Sequence, residues 1–574
     1  MTVNPSALPD PASTASNAAP ASSSSAEQKR KQDETNASVA GATGILALGN
    51  IVSRVLGLVR ETVLSFLFGA SAAVDAFQVA IIVPKAVYDL LIGGHLNGAI
   101  VPVLSEVVSA QGRTALWHLV SILMSVVTVF MALIVLCIQL FAPQIAILAA
   151  SGADAQTLGL AADMLRITSP ALLFLGLFAI FSGALYALRS FTWPAFAGAL
   201  FNGSIVLVTL LLAPPLQAFL QPQLDLAQPI SIGRPAEGVV VTALGWFVGA
   251  LVQMGLQWIG LRHARLRLTL NWRHPALRRI GLLYLPVMFS LIMDTLIIRF
   301  FSYNLASQTG EASIAYMNWA TTLIQFPQGL VATAISVAIL PTLARQATLT
   351  ATEGLQAFRD TLGLGLRLAT VLIIPATMAL FVLAVPIVAL IFEHGAFTAD
   401  DTLITAQALR LYLVGLPFAA LDLLLVYAFY ARKDTLTPAL IGLFSHLVYI
   451  LAVILLIDRF GLFSLMIADS LKHIVHALVS AALLARKING FGEQRYLATT
   501  LKTLLAASAM ACVGWLLIDP FTQWIGNQGI IREALLVLSL SVAAGSVYLG
   551  MAALLRLQEL RWVVGLIWQR VRRS

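Results

Sequence analysis

The sequence predicts an all-α polytopic membrane protein of about fourteen transmembrane helices, built as two six-helix lobes followed by two further C-terminal helices. Three observations predict it. Hydrophobic residues fill 59% of the 574 positions and charged residues 11%, with a mean hydropathy of +0.88, which is outside the range of soluble domains and far too apolar for disorder. Apolar runs long enough to cross a bilayer follow one another, and the Lys and Arg between them collect in alternate loops. The chain also repeats itself. Ala99-Ile100-Val101-Pro102-Val103-Leu104 returns as Ala338-Ile339-Leu340-Pro341-Thr342-Leu343, and Tyr186, Ala187, Pro194 and Ala195 return at the same spacing as Tyr430, Ala431, Pro438 and Ala439. Two copies in the same order, each an even number of spans, make two lobes of parallel topology. Transporters of that kind place their substrate between the halves near midplane.

Taken in order, residues 1–38 are rich in Ser, Ala, Pro and Asn and read as a disordered cytoplasmic tail. They lack the apolar segment of a secretory signal, so no cleavage is expected. Spans are expected at 41–68, 73–107, 115–142, 157–188, 193–214 and 238–261, which form an N-terminal lobe over 39–262. A basic cytoplasmic linker, 263–276, leads to a second lobe over 277–487, with spans at 277–305, 312–344, 356–383, 402–430, 436–457 and 463–485. Two additional spans, 497–518 and 530–555, occupy 488–556. The tail, 557–574, sets Trp562, Val563, Ile567 and Trp568 among arginines and suits a cytoplasmic interfacial helix on anionic lipid. Loops expected inside carry Arg262, Arg265, Arg267, Arg273, Arg278, Arg279, Arg432, Lys433, Arg486 and Lys487, whereas those expected outside carry Arg234, Arg459 and Arg532. Both termini are therefore expected in the cytoplasm. The net charge of +8 reads as this topology and not as a nucleic-acid signal. Cys137 and Cys512 both lie in apolar runs, so neither a disulfide nor a metal cluster is expected.

The charges inside the first two spans organise the reading. At about 100° per residue, Asn50, Arg54, Gly57, Glu61 and Ser65 share one face of the first span. Asp75, Gln78, Ile82, Lys85, Asp89 and Gly93 share one face of the second, with Pro84 expected to kink it. A charge held at bilayer depth costs about 2.5–3.5 kcal/mol on insertion scales, so these side chains should face a watery cavity or one another. Arg54 and Glu61 are two turns apart, about 10 Å, and are no local pair. Two adjacent helices lined in this way point to the path of a polar substrate; the competing reading is charges that pair between helices only to hold the bundle together.

Other polar constellations carry alternatives of the same kind. Asn318, Thr322, Gln325 and Gly329 share a face of span eight, either as a hydrogen-bonding cavity wall or as helix packing through small and amide side chains. Arg299 on span seven either meets a carboxylate of another helix or snorkels to a membrane edge. Asp469, His473 and His476 fall at i, i+4 and i+7 on span twelve, with Lys472 beside them. That spacing suits proton or ion coupling, half of a metal site, or a solvated polar face. Asp422, midway through span ten, has no local partner and suits either coupling or a hydrogen bond to a neighbouring helix.

Several stretches resemble one family. Ser53-Arg54-Val55-Leu56-Gly57, Arg60, Asp75-Ala76-Phe77, Pro84 and Val101-Pro102 are similar to the opening of the MurJ (MviN) lipid II flippases. Gln325-Phe326-Pro327-x-Gly329 with Ala338-Ile339-Leu340-Pro341 continues the likeness. Its most specific part runs from Phe392-Glu393-His394-Gly395-Ala396-Phe397-Thr398-Ala399-Asp400-Asp401-Thr402 through Ala408-Leu409-Arg410, Tyr412, Gly415-Leu416 and Phe429-Tyr430-Ala431-Arg432-Lys433-Asp434-Thr435. The resemblance covers roughly residues 42 to 490. It implies the fold of the multidrug/oligosaccharidyl-lipid/polysaccharide exporters, two six-helix lobes in a V plus two helices. It also implies a cavity for the diphosphate-sugar-peptide head group of lipid II, a groove near spans thirteen and fourteen for its polyprenyl tail, and residence in the bacterial cytoplasmic membrane. The chain departs from the pattern where it matters. The two family arginines after Pro84 are Tyr88 and Asp89, the acidic residue that follows is Gly93, and the arginine before the span-eight motif is Thr322. Of the cationic cluster only Arg60 matches, with Arg54 and Asp75 also retained; Lys85 and Arg299 are the candidates to compensate, because a diphosphate requires charge-assisted donors.

The functional expectation is a non-enzymatic transporter that moves lipid-linked peptidoglycan precursor by alternating access. The alternatives are a flippase for another polyprenyl-linked oligosaccharide, a drug/cation antiporter of the same fold, and a non-transporting scaffold. A membrane transferase is disfavoured, since no DxD-like pair or paired His sits at a loop mouth. The substrate-cavity candidates are Arg54, Arg60, Glu61, Asp75, Lys85, Asp89, Arg299, Asn318, Thr322 and Gln325; the coupling candidates are Asp422, Asp469, His473 and His476. No cofactor is expected beyond coupling to membrane potential, H+ or Na+. The expected partners are the lipid-linked oligosaccharide, the bilayer and cell-wall synthesis proteins, with no nucleic acid, around a monomer.

Overall fold

The computed structural model describes residues 21–92, 95–213, 237–282, 292–349, 353–491, 495–526 and 529–560. The readings of Gly93, Arg234, the first twenty residues and the Trp562 to Trp568 tail lie outside them. Helix α1 (Ala21–Phe68) turns at Gly69 into α2 (Ala72–Ala80) and α3 (Ile82–Ile92). The first lobe continues with α4 (His95–Ala149), α5 (Ala155–Thr168), α6 (Ala171–Ala187), α7 (Thr192–Leu212) and α8 (Val240–Gly260). A π-helical segment, Ile292–Ile298, opens into α9 (Arg299–Ser307) and α10 (Ser313–Pro327). After a second π segment, Gln328–Thr333, come α11 (Ala334–Gln346), α12 (Glu353–Val382), α13 (Ala384–Phe392), α14 (Ala399–Leu413), α15 (Leu416–Ala431), α16 (Leu436–Phe460) and α17 (Phe463–Lys487). The last two helices are α18 (Tyr496–Ile525) and α19 (Ile530–Leu554).

Among the described residues no strand occurs, and ten helices are long and apolar enough to cross a membrane, or eleven with the bent pair α14–α15 taken as one span. The other three expected spans are 41–68, which is part of α1; 73–107, which is divided among α2, α3 and the start of α4; and 277–305, whose residues 283–291 are not described. The helices sort by burial. The apolar window of Leu436–Phe460 is 28% buried, with Leu440, Leu443, Phe444, Leu447 and Leu451 exposed, whereas that of Ala155–Ala187 is 72% buried. The former presents hydrocarbon to lipid and the latter fills the lobe interior. Helix α7 packs on α1 and α8 around an edge-to-face Phe201–Trp246 contact with 4.9 Å between ring centres. In the second lobe α15 and α16 pack on α17, and α10 on α14. Helices α18 and α19 pack on each other and against α12, where Tyr548 Oη donates to the Val371 carbonyl at 2.6 Å.

Helix breaks fall where the residues require them. Pro84 has no amide to offer the Ala80 carbonyl, and the helix breaks just before it, at Ile81. The connection expected after residue 107 is a kink at Gly112, with φ 80°, inside α4. At the α14–α15 bend of 41°, Ser470 Oγ accepts from the Gly415 amide at 3.0 Å and donates to the Leu411 carbonyl at 2.6 Å, satisfying groups that the bend releases. The sequence repeat returns as one turn built twice. Arg189 and Lys433 occupy the left-handed region at φ 59° and 60°, each donating to the carbonyl of the repeated tyrosine, Tyr186 or Tyr430, at 2.9 Å. The next residues, Ser190 and Asp434, donate to Leu185 and Phe429.

Helix α1 takes in residues 21–38 ahead of the first span; Ala26-Glu27-Gln28-Lys29-Arg30-Lys31-Gln32 is a run of strong helix formers that extends a helix already nucleated by its membrane part. In the loop before α14, Thr398 is the N-cap and forms a capping box with Asp401, Thr398 N donating to Asp401 Oδ2 at 2.8 Å, and Asp400 adds a second carboxylate to the helix's first turn. Cys137 and Cys512 are free and exposed.

Candidate functional site

Between the lobes lies a cavity of about 580 Å³ whose walls come from both halves. Helix α1 contributes Arg54, Arg60 and Glu61, and α3 contributes Lys85, Tyr88 and Asp89. The second lobe contributes Arg299 from α9, Asn318, Thr322 and Gln325 from α10, and Asp469 and Lys472 from α17. Nine of the ten expected substrate residues are thus brought to one space. Its ionisable lining consists of five cations, Arg54, Arg60, Lys85, Arg299 and Lys472, against three carboxylates, Glu61, Asp89 and Asp469. Fully ionised, the wall carries an excess of two positive charges.

The cations differ in how far the protein itself satisfies them. Arg60 is engaged: Nε and Nη2 donate to Glu61 Oε1 at 3.2 and 2.5 Å, and Nη1 donates to Asn202 Oδ1 at 3.0 Å. Lys472 Nζ meets Asp469 Oδ1 at 2.6 Å and sits 5.7 Å from the centre of the Tyr449 ring. Arg54 Nη1 crosses the lobe boundary to the Gln325 carbonyl at 3.1 Å. It can do so because residue 329 is glycine: a Cβ there would stand 2.7 Å from the guanidinium. Arg299 Nη2 meets Asp89 Oδ2 at 3.3 Å, again between lobes, while its buried Nη1 has no partner. The Lys85 side chain makes no hydrogen bond or ion pair among the described residues, although the Asp89 and Glu61 carboxylates act on it through space. A cation inside a membrane bundle without a direct partner is costly unless a ligand supplies one.

Tyr88, standing where the family arginine is expected, is packed against Phe201 with 5.2 Å between ring centres. Asn318 Nδ2 donates to Tyr303 Oη at 2.8 Å, and Thr322 Oγ1 donates back to the Asn318 carbonyl at 2.9 Å. Two lining residues, Asn202 and Tyr303, are not marked in the sequence. Asn202 was visible as a lone amide in the apolar run of α7, but it carries no charge to mark it.

Asp75 is placed elsewhere. The break at Ile81 separates α2 from α3, so Asp75 does not continue the face of Lys85 and Asp89. Its Oδ1 accepts from the Ala315 amide in the first turn of α10 at 2.8 Å, and Glu311 Oε1 accepts in return from the Ala72 amide that opens α2 at 3.1 Å. Each lobe thus supplies a carboxylate to a helix N-terminus of the other, where unpaired amides and the helix dipole favour negative charge. The same end is closed by Gly152 N donating to Ser307 Oγ at 3.0 Å, Asn304 Nδ2 to the Leu148 carbonyl at 2.9 Å, and Ala396 N to the Phe66 carbonyl at 2.9 Å. Gly69 and Gly395, at φ 58° and 66°, permit this approach: a Cβ on either would meet a backbone oxygen of the other lobe at 2.4 or 2.3 Å.

Of the coupling candidates, Asp469 lines the cavity and lies 3.6 Å from His473 Nε2. Asp422 on α15 meets His476 on α17 at 2.7 Å, behind the cavity wall and inside the second lobe. The partner that the sequence left unnamed is therefore one of the other candidates. Among the described residues no group of three or more His, Cys, Asp or Glu is placed to hold a metal ion.

Comparison with known proteins places this architecture. The family model described as lipid II flippase MurJ matches residues 64–534. The lipid II flippase MurJ of Burkholderia cenocepacia is 31% identical over 403 residues, covering 68% of this chain and 73% of that protein. A solved structure of lipid II flippase MurJ in an inward closed conformation superimposes with a TM-score of 0.69 at 23% identity, covering 88% of this chain and 98% of that one. An inward-facing multidrug resistance transporter of the MATE family superimposes with a TM-score of 0.60 at 17% identity over 78% of this chain and 98% of that one.

Proposed function

The chain belongs to the lipid II flippase MurJ family, and from that premise we propose that it carries the head group of lipid II through the cavity between its lobes, from the cytoplasmic to the outer leaflet. The observation that carries this reading is the cavity's surplus of cations, contributed by both halves and led by Lys85, whose side chain makes no hydrogen bond or ion pair among the described residues. A diphosphate supplies the missing counter-charge, and Asn318, Thr322 and Gln325 on the facing wall offer hydrogen bonds to sugar and peptide. The same surplus argues against a drug/cation antiporter, which would present carboxylates. A water-soluble diphosphate-sugar with a peptide stem tests the assignment. With Cys137 and Cys512 replaced by Ser, it should protect a cysteine placed at Thr321 from a water-soluble maleimide; labelling at an unchanged rate would contradict head-group binding in this cavity.

In this reading both termini and the linker at 263–276 face the cytoplasm, because the basic loops collect on that side. The end closed by Asp75, Glu311 and the Phe66–Ala396 contact then faces outward. Transport requires that end to part and the opposite one to close, a rocking of one lobe against the other around a fixed site. Arg54–Gln325 and Arg299–Asp89 span the lobe boundary at the cavity itself, so a phosphate that draws either guanidinium away alters the contact between the lobes.

We propose that the driving ion exchanges in the second lobe. Asp422 and His476 are in contact at 2.7 Å, apart from the cavity wall that holds Asp469 and Lys472. A proton or sodium ion exchanged at Asp422 changes the charge against α17, the helix that carries Lys472 into the cavity. Asp422→Asn should flatten the dependence of transport on pH or sodium while leaving the maleimide protection intact. A variant with the wild-type dependence on both would remove Asp422 from the coupling.

A further inference from the structure

We propose that the cytoplasmic ends of α18 and α19 form a separate site for the phosphate head group of an anionic bilayer lipid. A pocket of about 350 Å³ is lined there by Arg367 of α12, by Arg495, Thr499 and Lys502, and by Arg556 and Glu559. It shares no residue with the cavity between the lobes. Four cations face one carboxylate, and that carboxylate is already engaged, with Arg367 Nε at 2.9 Å and Thr499 Oγ1 at 3.4 Å from Glu559 Oε1. The side chains of Arg495, Lys502 and Arg556 make no hydrogen bond or ion pair among the described residues, and all three residues are exposed.

Their convergence is built into the chain. Thr499 and Lys502 share one face of the first turns of α18, and Arg495 is the residue that caps its start, with its carbonyl accepting from the Thr499 amide at 3.0 Å. The first amides of this 30-residue helix open beside Arg495, adding the positive end of its dipole. Helix α19 ends at Leu554, and Arg556, at φ 55°, turns the chain so that Leu557 is buried and Glu559 reaches Arg367. Generic surface arginines would not be gathered around a concavity by three separate segments.

The neighbouring surface points to a lipid. Leu501 and Leu505 of α18, 58% and 56% exposed, lie beside the pocket's Ala498 and Lys502, and Leu554 at the end of α19 is 76% exposed, so bare hydrocarbon adjoins the cations. A phosphate seated among Arg495, Lys502 and Arg556 leaves its acyl chains against that hydrocarbon. Basic pockets between membrane helices on the cytoplasmic side bind anionic head groups in this way, each cation near the surface adding about a fivefold factor. Such a lipid ties the two added helices to α12. It does so whether or not lipid II is the transported substrate.

The test uses the full chain in neutral detergent, titrated with dioleoyl phosphatidylglycerol, with retained lipid counted by native mass spectrometry and the unfolding temperature followed in parallel. Wild type should retain the lipid and unfold at higher temperature in its presence, and phosphatidylcholine should do neither. Arg495→Gln/Lys502→Gln/Arg556→Gln should weaken retention by roughly 100-fold. A control that removes three charges from the linker, Arg262→Gln/Arg265→Gln/Arg273→Gln, should retain it. Equal loss in the control would show diffuse surface charge and overturn the site, as would an unaltered response in the triple variant. Inorganic phosphate that reproduces the whole temperature shift would replace a lipid with a free anion and likewise overturn the proposal. Should the triple variant misfold, Lys502→Gln alone, at an exposed position, should still lower retention about fivefold.

Discussion

Lys85→Ala should reduce the lipid II reaching the outer leaflet on the order of 100-fold, the equivalent of one or two charge-assisted hydrogen bonds left without a substitute. The size follows from the lack of a direct partner to break. Lys85 is the one lining cation among the described residues whose side chain makes no hydrogen bond or ion pair, with Asp89 and Glu61 acting on it only through space, so it breaks no contact when it turns to a phosphate. Arg60, although it is the residue that matches the family pattern, is bound to Glu61 and Asn202 and must give up those contacts first. Arg60→Ala also harms the protein, but by a different route. It strands Glu61, which is 6% exposed, as an unpaired carboxylate, a change that typically costs about 3–5 kcal/mol. The two routes separate in one experiment. Arg60→Ala/Glu61→Ala should recover membrane insertion lost by the single change, whereas Lys85→Ala should insert normally and fail only in transport. Lys85→Arg, which keeps the charge, should retain part of the activity. A Lys85→Ala variant that transports at the wild-type rate would remove this residue from head-group binding.

Gly395→Ala should unseal the outward end by a factor of at least ten. The substitution has two consequences of different kind. A side chain at φ 66° costs about 1–2 kcal/mol, and it does so in every state of the protein. The overlap of its Cβ with the Phe66 oxygen at 2.3 Å exists only while the lobes are closed at this end, so this second term shifts the equilibrium between closed and open. A cysteine at Ser307, which lies in the seal through its contact with Gly152, reports the shift in a background lacking Cys137 and Cys512. Its labelling by an impermeant maleimide from outside should accelerate at least tenfold in the Gly395→Ala protein. An unchanged rate would mean that the closure does not depend on this contact.

What the sequence could and could not reveal follows from range. The polar stripes of the first two spans were legible because a charge at bilayer depth needs a reason and helical periodicity gives its direction; Arg54, Arg60, Glu61, Lys85 and Asp89 all reach the cavity. Asp75 did not follow, since the register was carried through a break that separates α2 from α3. Pairings between distant positions were invisible one helix at a time: Asp89 with Arg299, and Asp422 with His476. The loop around Gly395 shows no role in the sequence because the contact it makes, a backbone amide on a backbone carbonyl across the lobe boundary, leaves no polar side chain to notice. The repeat, by contrast, was legible down to a single turn, since Tyr186 and Tyr430 each accept the amide of a residue in the left-handed conformation.

A cavity that carries Lys85 and has Tyr88, Asp89 and Thr322 where the resemblance leads one to expect arginines should still move lipid II. The decisive experiment replaces the essential lipid II flippase of a host bacterium with this chain and measures lipid II exposed on the outer face of its cytoplasmic membrane. The chain should support growth and restore outer-leaflet lipid II, and its Lys85→Ala variant, inserted at the same level, should do neither. A wild-type chain that is folded and inserted, yet leaves lipid II confined to the inner leaflet, would contradict the account and assign the cavity to a different lipid-linked head group or to no transport.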